Sequence, residues 1–334
     1  MSSTKLTLFT LASGRSGTSY LADFFAKNIT QCYSTHEPYF TFGNPTLFGK
    51  PIAWNTLHDD RALLPVLERK CRFIASRREP FYFESNHAFL KAFNRHAGAL
   101  LDNPGFIHLV RNPLLVAKSE LVREQMIRKA HLPFADYTSD TGECLFRWAL
   151  TGQEDLFQHI PPTLSRPLKN VFEIADARQK QAKKRSLCLI NEHFESVFNT
   201  AAVTQIVFQR TVSRFQFYVL QWLEIEHRAM QLIRDNHWQD RVFFIDVDVD
   251  LKREAVLKNM VDFFGLPHMP MFNLDLRRNK TPFIGPTIIT EQDKQEFKAV
   301  LRNLPDSYRE LFQDKPYRDC CWFAEVNQLM ADKQ

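Results

Sequence analysis

The segment LTLFTLASGRSGTSYLADFF, Leu6 to Phe25, constrains this chain more than any other. It opens as an apolar β-type run, breaks at two closely spaced glycines, and continues with the spacing of an amphipathic helix. A strand that ends in SGRSGTS and feeds a helix gathers the unpaired N–H groups of the helix start around one concave point, with the positive end of the helix dipole behind them. Such a turn is an anion cradle. Gly14 and Gly17 allow the sharp turn and a close approach of the backbone, the hydroxyls of Ser16, Thr18 and Ser19 are possible donors, and Arg15 adds a fixed positive charge. The motif is short, and an ordinary Gly-rich turn with a capping serine has the same pattern.

Further β-type runs occur at RFIAS, PFYFES and GFIHLVRN, and a late one at RVFFIDVDV, with helical spacing between them. Strands alternating with helices predict an α/β fold: a P-loop-like three-layer sandwich with a central, mostly parallel sheet in a single domain over 1–334. From about Phe134 to Arg214 the strands stop, and loop signals (HIPPTLSRP) and a basic run (ARQKQAKKRS) appear. This stretch, 134–214, is expected to be a helical insertion capping an acceptor site, with the basic run as a solvated face. Phe215, Val219, Trp222, Ile225, Ala229, Leu232 and Ile233 then repeat at three and four residues, which predicts a long helix packed on the sheet. A final helix through EAVLKNMVDFFGLP should stop at Gly265 and Pro267.

Composition narrows the partners. The formal charge of +5 falls short of a dedicated nucleic-acid binder and suits a small anionic ligand. No run approaches the ~18 apolar residues of a membrane span, and the first apolar segment meets Arg15 too soon for a signal peptide, so the expectation is a cytoplasmic protein without a membrane or nucleic-acid partner. The six cysteines (Cys32, Cys71, Cys144, Cys188, Cys320 and Cys321) lack metal-ligand spacing and are expected to be reduced, packed thiols with no metal.

The opening loop departs from a nucleoside-triphosphatase loop, because Thr18 stands where that pattern needs Lys. It suits an anion requiring less charge neutralisation. A sulfuryl group fits, since a sulfate monoester carries one fewer negative charge than an ionised phosphate monoester and transfers without a metal. A second anion site is read in FIHLVRNPLLVAKSE, where Arg111 ends a strand and Ser119 lies in the next helix. Two anion sites suggest a bisphosphorylated nucleotide, while a surface ion pair for Arg111 and a solvent-facing hydroxyl for Ser119 are the commoner fates of such residues.

Three segments, GRSGTSYL, LVRNPLLVAKS and RVFFIDVDVDLKREAVLKNMVDFFGLP, resemble in order the sulfotransferases that use 3'-phosphoadenosine 5'-phosphosulfate (PAPS). The resemblance implies transfer of a sulfuryl group from PAPS to a hydroxyl or amine of a small-molecule acceptor, with 3'-phosphoadenosine 5'-phosphate (PAP) as product. It implies that Gly14, Arg15, Ser16, Gly17, Thr18 and Ser19 hold the 5'-phosphosulfate and that Arg111 and Ser119 hold the 3'-phosphate. Two departures stand out. Arg15 replaces the lysine of the PKSGT pattern in soluble members and is a poor proton donor. The RKG cofactor loop is missing, with Arg277, Arg278 and Lys280 of RRNKTP as the nearest basic substitute. The pattern is closer to the bacterial and carbohydrate-type members.

An attacking hydroxyl or amine must lose a proton, and four residues near expected strand ends are candidates: His36 and Glu37 in YSTHEPYF, and Glu84 and His87 in FESNHAF. Glu37 resembles the carboxylate base proposed for several bacterial and carbohydrate-type members, and Pro38 restricts it to extended or turn backbone. His87 lies near the place of the catalytic histidine of soluble members. Tyr39, Phe40 and Phe42 would line an acceptor pocket or the core. A nucleotide kinase and a catalytically inactive nucleotide-binding module are the competing readings.

Overall fold

The structure, a computed structural model, describes residues 5–38, 43–48, 50–56, 59–129, 213–276, 287–302 and 306–331. Nearly all of the expected 134–214 insertion, the aromatic residues Tyr39, Phe40 and Phe42, the basic residues Arg277, Arg278 and Lys280, and the thiols Cys144 and Cys188 lie outside these residues. Arg214 already belongs to the helix that follows the insertion.

Five strands form the sheet: β1 (Leu6–Ala12), β2 (Cys32–His36), β3 (Phe81–Ser85), β4 (Pro104–Val110) and β5 (Val242–Asp246). Their order is β2-β3-β1-β4-β5 and every pairing is parallel, so the α/β expectation holds and the described sheet is parallel throughout. Strand β1 is central and buried on both faces, in keeping with its mostly apolar run, in which Thr7 and Thr10 are buried as well. The chain leaves β1 toward β2 but leaves β4 toward β5, so the sheet changes winding direction beside β1, the place where parallel sheets open a ligand crevice.

Helices cover both faces. On one, α1 (Thr18–Asn28) lays Tyr20, Leu21, Phe24 and Phe25 against Leu8, Phe83 and Ile107, with Phe25 stacked on Phe83 at 3.8 Å. On the other, α3 (Asp60–Ala75), which follows the short α2 (Lys50–Thr56), packs with the short α4 (Phe89–Ala92) against Phe9, Tyr82 and Phe106. A further short helix, α5 (Ala97–Leu100), leads into β4. RFIAS, expected as a strand, is the last turn of α3 instead. Phe73 and Ile74 continue the buried stripe Leu63, Leu67, Lys70 at helical spacing, and an apolar run of that length does not distinguish helix from strand.

Helix α6 (Pro113–Lys129) begins with Asn112, whose Oδ1 accepts from Leu114 N at 2.9 Å, ahead of a proline in the first helical position. Helix α7 (Arg214–Asp235) starts in a capping box of Ser213 and Gln216, and its seven expected apolar positions are all buried. Its N-terminal half packs on α6 and α9 (Glu291–Arg302), its C-terminal half on the sheet. Between them α8 (Glu254–Phe263) closes the α1 face and ends at Gly265 in left-handed backbone (φ 61°), as expected. Two shorter helices, α10 (Asp306–Glu310) and α11 (Phe323–Ala331), complete the chain. No helix of the described residues is long and apolar enough to cross a membrane. Of the described thiols, Cys320 is packed and Cys321 is exposed, against the expectation for the latter.

A charged pair closes the α3 face. Lys70 and Glu84 are fully buried and lie 2.5 Å apart. Tyr82 donates to Glu84, Asn86 Nδ2 donates to Glu84 Oε1 at 2.9 Å, and Lys70 also donates to Asn44 Oδ1 at 2.9 Å and Pro45 O at 3.1 Å. Burial pushes the Lys70 ammonium below the ordinary lysine value, and Glu84 opposes that shift. The network ties α3, the segment before α2, and β3 together. Removing one partner leaves the other charge buried alone, so Lys70→Ala is expected to cost about 3–5 kcal/mol of unfolding free energy. Urea unfolding checks this; a loss of about 1 kcal/mol or less would show that the pair is not what holds this face.

Candidate active site

Every strand of the sheet ends at one cleft. It has a volume of about 630 Å³, within the usual range for small-molecule sites, and its walls come from the residues directly after β1, β2, β3, β4 and β5, together with the first turns of α1 and part of α6.

Its floor is the β1–α1 turn. Arg15 (φ 63°) and Gly17 (φ 80°) both adopt left-handed backbone, and Gly17 caps α1 with no side-chain hydrogen bond to its first-turn amides. Alternation into left-handed backbone is what turns successive N–H groups toward one anion. At Gly17 the positive φ itself opposes a side chain, and a methyl there would also meet Leu251 Cδ2; a methyl on Gly14 would stand 2.5 Å from Glu120 Oε1, so that carboxylate would have to move. Arg15, with no such freedom, pays strain of about 1–3 kcal/mol for its conformation. Two contacts hold it there. Its carbonyl accepts from Arg111 Nη1 at 2.9 Å, and its Nε donates to Ser119 Oγ at 3.1 Å.

The two anion sites expected from sequence are thus one hydrogen-bonded unit. Arg15, Thr18, Ser19 and Arg111 line the cleft with Gly14 and Gly17. Ser119 is buried beneath Arg15 and is not part of the wall. Ser16 departs further from expectation: fully buried, its hydroxyl bonds Ser13 Oγ at 2.9 Å and Gly14 O at 3.4 Å, so it braces the turn from within. Arg111 is also ion-paired, its Nε donating to Asp248 Oδ1 at 3.1 Å.

The sequence reading missed Glu120 and Arg123, joined at 2.9 Å on α6, and Asp248, Leu251 and Lys252 after β5. The first two follow Ser119 by one and four residues on the same helix, and the repeated aspartates of DVDVD mark a strand end. Burial lowers the Arg15 guanidinium pKa from its ordinary value; Glu120 opposes this, while Arg123 and Arg111 add to the lowering. Four cations, Arg15, Arg111, Arg123 and Lys252, share the cleft with three carboxylates, Glu37, Glu120 and Asp248.

The β2–β3 side is different in character. His36, Glu37 and His87 line the cleft there. Glu37 has left-handed backbone (φ 43°), a turn conformation fixed by its N–H bond to Ser85 O at 3.0 Å. His87 Nδ1 lies 2.6 Å from Glu37 Oε1, and the His87 ring meets Phe48 edge-on at 5.0 Å between centroids. His36 Nδ1 is 3.1 Å from Ser85 O, and its Nε2 stands 3.8 Å from Glu37 Oε2. Glu84 is corrected: it does not reach the cleft, because its carboxylate is buried in the pair with Lys70. Among the described residues no cluster suited to a metal ion occurs.

The chain matches no family model and no curated relative. Among solved structures it is similar to the sulfotransferase domain from the curacin biosynthetic pathway, at 11% identity over 92% of this chain and 96% of that one, with a TM-score of 0.44. It is also similar to a sulfotransferase from Alicyclobacillus acidocaldarius, at 14% identity over 90% of this chain and 98% of that one, with a TM-score of 0.37.

Gly17→Ala tests the turn. The positive φ and the Leu251 methyl both oppose a side chain there, so the variant should lose about 1 kcal/mol or more of stability in thermal melts. It should also lose calorimetric binding of inorganic pyrophosphate. Wild-type stability together with wild-type binding would show that the turn is not built around Gly17.

Proposed function

We propose that this chain is a sulfotransferase that moves a sulfuryl group from PAPS to a hydroxyl or amine of a small-molecule acceptor. The observation that carries the reading is one cleft with a Gly-rich turn and the uncapped start of α1 on its floor and a carboxylate–imidazole pair on its wall. The turn fits the donor's anionic groups, because α1 begins without a side-chain cap, Gly14 and Gly17 leave room for close approach, and Arg15 and Arg111 supply charge. Thr18 in place of a lysine favours this donor over a nucleoside triphosphate with magnesium.

PAPS supplies a sulfuryl group whose S–O bond to the 5'-phosphate breaks as the acceptor's O–S or N–S bond forms in line, the electron pair leaving on the phosphate oxygen. The chain's own residues do the rest. Glu37 takes the acceptor's proton, and His87, with Nδ1 as donor, holds that carboxylate in place. The first-turn amides of α1 and Arg15 stabilise the charge that develops on the leaving phosphate. Arg15 remains a cation throughout and acts by charge, not by donating a proton. Arg111 binds the donor's 3'-phosphate.

Two measurements test this. PAP should bind in calorimetry without added metal; no detectable binding, or tighter binding of ATP with magnesium, would overturn the reading in favour of an inactive module or a kinase. Incubation of a metabolite panel with PAPS, read by mass spectrometry for a gain of one sulfuryl group, identifies the acceptor. With that acceptor, Glu37→Gln should lower turnover on the order of 10²-fold or more while PAP affinity stays the same. Near-normal turnover in Glu37→Gln, with loss in His36→Asn or His87→Asn, would assign the base to a histidine.

A further inference from the structure

Arg111 does not face the cleft as an open cation. Asp248, two residues past β5, sets a carboxylate against it: Oδ1 accepts from Arg111 Nε at 3.1 Å and Oδ2 accepts from Asn112 N at 2.9 Å. The carboxylate is itself fixed. Its backbone N–H donates to Asp246 Oδ1 at 3.1 Å, and the buried Asp246 is anchored in turn by Cys321 N at 2.8 Å from its Oδ2. Arg111 Nη1 is taken by the Arg15 carbonyl. A guanidinium has five N–H donors; two of them are committed inside the protein and three remain to meet a ligand beside an existing negative charge.

We propose that Asp248 is a built-in counter-anion that sets how strongly Arg111 takes a phosphate- or sulfate-type group, and so determines specificity at this subsite. The proposal rests on the reading of Arg111 as an anion ligand. Side-chain exposures of 25% for Arg111 and 19% for Asp248 put the pair at the edge of the cleft, where charges are only partly screened. An incoming dianion meets the attraction of Arg111 and the repulsion of Asp248 together. The subsite therefore admits an anion that brings other contacts, as a nucleotide does, and discriminates against free inorganic anions that rely on charge alone. Because Asp248 also accepts the Asn112 amide, it keeps Arg111 placed while weakening it.

The test compares wild type, Asp248→Asn, Asp248→Ser, Arg111→Ala and the Asp248→Asn/Arg111→Ala double variant, each first confirmed folded by its thermal transition. The probes are inorganic pyrophosphate and PAP, titrated calorimetrically at low and at high salt. Asn keeps an acceptor in place for the Asn112 amide and removes the charge; Ser removes the charge with a shorter side chain. Each should tighten pyrophosphate binding by about tenfold at low salt and less at high salt, and the gain should vanish when Arg111 is absent. Unchanged or weaker pyrophosphate binding in both variants, absence of pyrophosphate binding in all forms, or an equal gain in the Arg111→Ala background would overturn the proposal. Pyrophosphate reads the cleft's cations without a nucleoside, and the Arg111→Ala background isolates the share that belongs to Arg111. Failure of PAP alone to bind therefore counts against the sulfotransferase reading and leaves the pyrophosphate comparison to decide the role of Asp248.

Discussion

The hydrogen bond from Arg111 to the carbonyl of Arg15 is the contact on which the site depends. Strand β1 ends in a turn that needs left-handed backbone at a residue with a side chain, and such backbone persists only where its surroundings over-determine it. Arg111 provides this from the end of the neighbouring strand, Ser119 from the helix behind, and Ser16 from inside the turn. The geometry that makes a concave row of N–H groups is therefore held by residues from three parts of the chain. The same guanidinium reaches Asp248 after β5, so one side chain fastens the ends of β1, β4 and β5 to each other.

On the other side of β1 the fastening is done by backbone and by a buried charge. Strand β3 lies between β1 and β2, and Ser85 at its end accepts the Glu37 amide while its hydroxyl donates to Thr18 O at 2.6 Å, linking the first turn of α1 to the Glu37 turn. One residue earlier, Glu84 faces the core and is neutralised by Lys70. The alternation of a strand thus sends two adjacent buried side chains to different partners, Ser85 to the first turn of α1 and Glu84 to Lys70 on α3. The network around Glu84 includes Asn44, whose segment carries Phe48 against His87, so the packing of the α3 face extends to the imidazole that holds Glu37.

Much of this was legible in the sequence, for identifiable reasons. β1 and its Gly-rich turn, the strands PFYFES, GFIHLVRN and RVFFIDV, and the seven-position stripe of α7 carry periodicities long enough to decide their class. RFIAS misled because its run is short and its helical partners, Leu63, Leu67 and Lys70, include a lysine that does not read as a core position. Buried charge is the general blind spot. Lys70, Glu84, and Glu226 on α7, which bonds His108 at 2.8 Å and Tyr317 at 2.9 Å, look solvent-facing until their partners from distant segments are known. Of the residues proposed from sequence for the site, Gly14, Arg15, Gly17, Thr18, Ser19, His36, Glu37, His87 and Arg111 all line the one cleft. Ser16 and Ser119 were read as ligand donors although their hydroxyls are engaged inside the protein, and nothing in their spacing distinguishes the two cases.

The strand order explains why the cleft has two chemically distinct halves. With β1 in the centre, residues after β2 and β3 fall on one side of the turn and residues after β4 and β5 on the other. The first side holds two imidazoles and a carboxylate, His36, His87 and Glu37; the second holds the charged side chains of Arg111, Asp248 and Lys252. The turn itself lies between them. Glu37 on the first side is paired with the His87 imidazole, and its carboxylate also interacts with the Arg15 guanidinium on the turn. The winding of the sheet thus sets an imidazole–carboxylate pair and an arginine–aspartate pair on opposite sides of one turn, the arrangement that the proposed transfer would use.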